Sequence, residues 1–118
     1  MGDTAVRLDV EIEDTDDERV ARLEGMVDVF TAGGVVRRVM AGLPREATRV
    51  VIDLRGVRFM DSAGLSAVVR LSERARRRAL DLRAELGDAS RLNPTVAGML
   101  RRVVPCDETQ SHKQPAAS

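Results

Sequence analysis

Near the middle of the chain the polar cluster Asp61-Ser62-Ala63-Gly64 interrupts two apolar runs, and Ser62 carries the hydroxyl that could do chemistry there. A nucleophilic serine needs a base. His112, the only histidine, lies in a polar terminal stretch, and no Gly-x-Ser-x-Gly elbow surrounds Ser62. Catalysis by Ser62 is therefore not expected, and the chain is not read as an enzyme. Two roles remain open. Asp61 or Ser62 caps a helix, with Gly64 easing the turn, or Ser62 is a hydroxyl that another enzyme modifies. A helix start suits the second role, because its unpaired N–H groups and positive dipole end accommodate an oxyanion.

The other reactive residue types give weaker patterns. Asp14, Asp16, Asp17 and Glu18 lack the regular ligand series and closing Glu of a calcium loop, and read as a solvated turn. Gly33-Gly34 has no preceding strand and no following Lys, so it is not a phosphate loop. Cys106 is the only cysteine, which excludes an intrachain disulfide and argues against a thiolate metal site. No metal and no cofactor is expected.

Formal charge is zero, from 19 basic and 19 acidic residues, and only two aromatic residues are present, Phe30 and Phe59. Both facts argue against nucleic-acid binding, which needs a positive field and stacking surfaces. The Arg74–Arg78 run reads as the basic end of a helix. Met1-Gly2-Asp3-Thr4 lacks the character of a signal peptide, and no apolar run approaches the ~20 residues that span a bilayer. Cytoplasm, without membrane association, is the expected setting.

The elements that must position Ser62 follow from periodicity. Val6, Leu8, Val10 and Ile12 alternate as a strand, Asp14–Asp17 turns, and Val20–Leu23 returns, with Gly25 and Asp28 punctuating its end. Thr31 is a candidate N-cap for a helix with Val35, Val36, Val39, Met40 and Leu43 on its apolar face, closed by Gly42 and Pro44. Val50–Leu54 is continuous and apolar enough for a strand buried on both faces. A short loop then leads to Ser62 and a helix with Leu65, Val68, Val69 and Ser72 at helical spacing. Leu80–Leu86 alternates as a strand. Asn93-Pro94 starts a last helix through Val96, Ala97, Leu100, Val103 and Val104, which Pro105 stops. The order β-β-α-β-α-β-α implies an α/β domain, with a mixed, mostly parallel sheet and an N-terminal hairpin. One domain over residues 5–105 is expected, with 106–118 as a disordered polar tail.

Three stretches resemble one known family. Val50–Leu65, with its apolar strand and Asp61-Ser62-Ala63-Gly64-Leu65, is similar to the signature of STAS domains, and more narrowly to bacterial anti-sigma factor antagonists. Gly25-Met26-Val27-Asp28 with Thr31-Ala32 resembles the family's Gly-x-x-Asp-x-x-Thr-Ala turn, and Asn93-Pro94-Thr95-Val96 resembles its Ser-Pro-x-Val helix start. The three lie in the family's order, and the resemblance covers roughly Val6 to Val104. The resemblance implies the STAS fold and a partner-switching role. The unphosphorylated antagonist binds an anti-sigma factor that is also a serine kinase, so freeing a sigma factor. Phosphorylation of Ser62 breaks the complex, and a serine phosphatase restores it. It also implies a partner-binding surface formed by Asp28, Thr31, Asp61, Ser62, Ala63, Gly64 and Leu65. A STAS scaffold, or an accessory subunit in another signalling or lipid-transport complex, is the alternative. Three features depart from the family pattern: Met26 in place of a frequent polar residue, Ala63 in place of a frequent second hydroxyl, and a longer link from Leu86 to Asn93.

Overall fold

The computed structural model describes residues 7–109. Strands β1 (Leu8–Asp14) and β2 (Glu18–Val27) form an antiparallel hairpin. Then come α1 (Ala32–Met40), β3 (Arg49–Met60), α2 (Ser62–Arg77), β4 (Asp81–Gly87), α3 (Pro94–Val103) and β5 (Cys106–Glu108), with a 3₁₀ turn at Ala89–Arg91. The sheet order is β1-β2-β3-β4-β5, and every pairing after the hairpin is parallel.

That order explains the architecture. Each parallel neighbour is reached by one crossover in the same direction along the sheet, and right-handed crossovers then place every helix on one face. Val35, Val36 and Val39 of α1, Ala67, Val68 and Leu71 of α2, and Ala97 and Leu100 of α3 are buried there. They meet Ala21, Leu23, Val50, Ile52, Leu54, Ala84 and Leu86, which all point to that side of the sheet. The other face carries Arg22, Asp53, Arg55 and Glu85, joined in ion pairs.

Several expectations change. β3 has twelve residues, continuing through Gly56 and Arg58 to Met60, so the expected loop before Ser62 shrinks to Asp61 alone. Gly56 and the two arginines disguised the strand, because its outer face is polar. Helices cover Val50–Leu54 on one side only; on the other, Asp53 is buried by its arginine partners. The apolar stripe of α2 is Gly64, Ala67, Val68, Leu71 and Ala75, with Leu65, Val69 and Ser72 half-buried at its margin. Small residues let this central helix sit close to the sheet between α1 and α3. Cys106–Glu108, expected in the tail, form a fifth strand, because the edge of β4 offers unpaired backbone groups: Ala84 N–H donates to Pro105 O at 2.9 Å and Thr109 N–H to Gly87 O at 2.9 Å. Val6 and the rest of the expected tail, residues 110–118 with His112, lie outside the described residues.

Candidate functional site

Ser62 sits at the carboxyl ends of the parallel strands, where α/β sheets generally place their sites. β2 and β3 end side by side, with Val27 paired to Met60. The loop 28–31 and the start of α2 are therefore neighbours, stitched by a hydrogen bond from Asp61 N–H to Val27 O at 3.3 Å.

The choice between Asp61 and Ser62 as cap is decided. Asp61 has extended backbone, and its Oδ1 accepts from Ala63 N–H at 2.9 Å and Gly64 N–H at 3.1 Å. Ser62 is the first helical residue and is exposed, and no side-chain hydrogen bond among the described residues uses its hydroxyl. Beneath it, Gly64 is buried. A Cβ there would lie 2.6 Å from Val27 O and 2.7 Å from Met60 Cγ, so only glycine lets α2 approach β2 this closely. No cluster of three or more potential metal ligands occurs among the described residues.

The adjacent loop is built around Asp28, which is buried rather than presented to solvent. Its Oδ1 accepts from Phe30 N–H at 2.9 Å and Thr31 N–H at 3.2 Å, and its Oδ2 pairs with the Arg7 guanidinium. That guanidinium, with help from the backbone donors, holds the Asp28 carboxyl below the usual carboxylate range. Thr31 stands at the N-cap position of α1, as its sequence pattern suggests, but its hydroxyl bonds no helix N–H. It donates to Met26 O at 2.9 Å and accepts from Asp28 N–H at 3.0 Å, closing the loop on itself. Gly25 makes Arg7 available: at φ +120° it leaves room for the Arg7 carbonyl, which a Cβ would meet at 2.2 Å, and Met26 N–H bonds that carbonyl at 2.8 Å.

Of the seven expected partner-facing residues, Ser62 alone is exposed. Thr31, Asp61, Ala63 and Leu65 are half-buried, while Asp28 and Gly64 act from beneath the surface. What the loop presents is apolar, with Val29 68% and Phe30 79% exposed, and Phe59 at the end of β3 is 45% exposed. Arg7 stacks over the Phe30 ring, 5.2 Å from its centroid. On the other flank, Arg58, Phe59, Asp61, Asn93 and Thr95 line a depression of about 410 Å³. Asn93 caps α3 at its edge by accepting from Thr95 N–H at 2.8 Å.

Sequence reasoning missed Arg7, Val29, Phe30, Phe59 and Arg91. The signal for the phenylalanines was present: both fall outside every apolar stripe. Arg91 gave none. Its guanidinium donates to Val57 O and Leu86 O at 2.7 Å, to Asp88 O at 2.6 Å, and to Leu54 O. It thereby fills the gap where β3 and β4 part beyond the Asp53–Glu85 pair.

The STAS domain family model matches residues 9–84, from the hairpin through Asp61 and Ser62 into the first half of β4. The chain belongs to the STAS family. No curated protein matches its sequence. Among solved structures, this STAS domain is similar to an anti-sigma factor antagonist from Mycobacterium paratuberculosis, at 24% identity and TM-score 0.60 over 81% of this chain and 93% of that one. It is also similar to the anti-sigma factor antagonist SpoIIAA in its unphosphorylated form, at 17% identity and TM-score 0.65 over 86% and 90% of the two chains. Moorella thermoacetica RsbS, carrying one substitution, aligns at 17% identity and TM-score 0.58 over 86% and 87%. These likenesses extend past the family match into α3 and confirm the α/β STAS fold. Among the described residues no helix is long and apolar enough to cross a membrane.

Proposed function

We propose that this STAS domain is an anti-sigma factor antagonist switched at Ser62. Unphosphorylated, it binds an anti-sigma factor with serine kinase activity and so releases a sigma factor. Phosphate on Ser62 ends that complex, and a serine phosphatase regenerates the binding form. The observation that carries this reading is the division of labour at the start of α2. Asp61 does the capping, so the exposed Ser62 hydroxyl is left without a structural task. It can be modified without unfolding the helix.

The physics of the switch follows from that position. A phosphate adds about −1.5 to −2 charges at pH 7, and the positive end of the helix dipole tolerates them. An apolar contact surface does not. There the dianion must lose water beside the Asp61 carboxylate, which costs several kcal/mol, on the order of a thousandfold in affinity. Asp28, already paired with Arg7, contributes little to this repulsion. Similarity to antagonists, one named for its unphosphorylated form, supports the reading.

The test combines modification with binding. Purified anti-sigma factor kinases of the source organism are incubated with the protein and ATP, and phosphate is located by mass spectrometry. Modification at Ser62 is expected, and none in Ser62→Ala. In titrations against the same kinases, Ser62→Ala should bind like wild type, whereas Ser62→Asp should stay folded and lose most of its affinity. Undiminished binding by Ser62→Asp would overturn the switch.

A further inference from the structure

We propose that Phe30, with Val29 beside it in the loop and Phe59 at the end of β3, is the apolar anchor that enters the anti-sigma partner, and that Arg7 and Asp28 hold it in its docking pose. This rests on the antagonist reading above and names the side chains that give the contact its strength and selectivity.

The chain has two aromatic residues, and neither is in the core, which is built from Val, Leu, Ile, Ala and Met. A single exposed apolar side chain is ordinary. Among the described residues, three of the five exposed large hydrophobics, Val29, Phe30 and Phe59, lie at the carboxyl ends of β2 and β3, the edge that carries Ser62. The loop 28–31 adjoins the start of α2, so a kinase that reaches Ser62 meets Val29 and Phe30. Aromatic side chains are the usual anchors of such contacts, because each removes much apolar area from water for only two rotatable bonds.

Phe30 is also preorganised. Its N–H is tied to Asp28 Oδ1, the other carboxylate oxygen of Asp28 holds Arg7, and the Arg7 guanidinium lies over the Phe30 ring. One buried carboxylate thus fixes the anchor's backbone and the cation that braces its ring. A partner need not supply the ordering free energy of a loose loop. The Arg7 guanidinium is paired with Asp28, while the exposed Arg58 beside Phe59 has no ion pair among the described residues. The occupant this selects is the kinase that reaches Ser62, with an apolar pocket for Phe30 and a carboxylate placed for Arg58.

Binding to the anti-sigma factor kinase that gives the strongest wild-type titration tests the proposal, with folding followed by circular dichroism. Phe30→Ala should weaken binding by about thirtyfold or more, as for an interface hot spot. Phe59→Ala and Arg7→Ala should each cost roughly tenfold, and Phe30→Leu should recover part of the loss. Met99→Ala, which removes another exposed apolar side chain, should stay within about twofold of wild type. Because the Phe30 ring is solvent-exposed, its removal should leave the thermal midpoint unchanged. Wild-type binding matched within twofold by Phe30→Ala would overturn the anchor while leaving the antagonist reading intact. Failure of wild type to bind any of the kinases would remove the antagonist reading, and the anchor with it. A wild-type dimer that Phe30→Ala converts to a monomer would reassign the surface to self-association and overturn the proposal.

Discussion

At the residue scale, Asp61, Ser62 and Gly64 divide three demands among adjacent positions. Asp61 satisfies the helix N–H groups, Ser62 stays available, and Gly64 lets α2 come down onto the ends of β2 and β3. The glycine demand is the most rigid. In Gly64→Ala the new methyl would overlap Val27 O and Met60 Cγ, so α2 must lift and weaken the Asp61–Val27 bond that joins the two loops. Overpacking at such a contact costs about 1–3 kcal/mol, readable as a lower urea midpoint at unchanged slope. A midpoint equal to wild type would show that α2 can shift freely. The polar cluster and its place at a helix start were legible in the sequence, because Asp, Ser and Gly have distinct backbone preferences. Which residue caps was not, since both Asp and Ser are good caps. Nor was the burial of Asp28. Its partner Arg7 is 21 residues away and comes within reach only through the tight backbone approach at Gly25.

At the scale of elements, the periodic runs were legible, and the irregular joins between them were not. The hairpin, the two longer helices and the Asn93 cap follow from alternation, helical spacing and capping chemistry. β5 was hidden because a three-residue edge strand needs only a free neighbouring edge and no apolar pattern. Two guanidinium groups that tie backbone carbonyls, buried Arg19 and half-buried Arg91, were hidden because arginine is ordinarily a surface residue. Arg19, 3% exposed, pairs with Asp14 and donates to Val39 O, Ala41 O and Gly42 O, closing the carboxyl end of α1. Arg91 does the same for the diverging ends of β3 and β4. Arg91→Met keeps much of the aliphatic stem but leaves four carbonyls without their donor. Each hydrogen bond to a charged donor contributes about 1.5–3 kcal/mol, and water recovers part of the loss, so about 2–4 kcal/mol of destabilisation is expected. Denaturant unfolding measures it. Hydrogen exchange should also quicken first in the segments Leu54–Val57 and Leu86–Asp88, and uniform quickening would argue against a local keystone.

At the scale of the whole molecule, zero net charge conceals two different surfaces. On the open face of the sheet Arg22, Arg49, Arg55 and Arg83 each pair with a carboxylate. The helix ends carry Arg37, Arg38, Arg74, Arg76 and Arg77, cations set against the negative ends of the helix dipoles. The carboxylates that arginines hold in place set the response to acid. Hydrogen bonding to Arg19, Arg7 and Arg101 keeps Asp14, Asp28 and Glu108 respectively below their ordinary values. For Asp53, burial pushes the carboxyl up, but Arg55, bonding through its side chain and backbone, outweighs burial and lowers it. A carboxylate depressed in the folded state binds fewer protons there than when unfolded. Its stabilisation is therefore fully present above the unfolded value, about 4, and drains away as pH falls through the depressed folded values. Thermal midpoints should be nearly flat from pH 8 to 5 and fall steeply below about pH 4. Asp53→Asn removes one group that must take up a proton on unfolding in acid. It should be less stable at neutral pH, where Arg55 and Arg22 lose an anionic partner, yet show a shallower decline below pH 4. An equally steep acid limb in that variant would mean that Asp53 does not bind its proton differently in the folded and unfolded states.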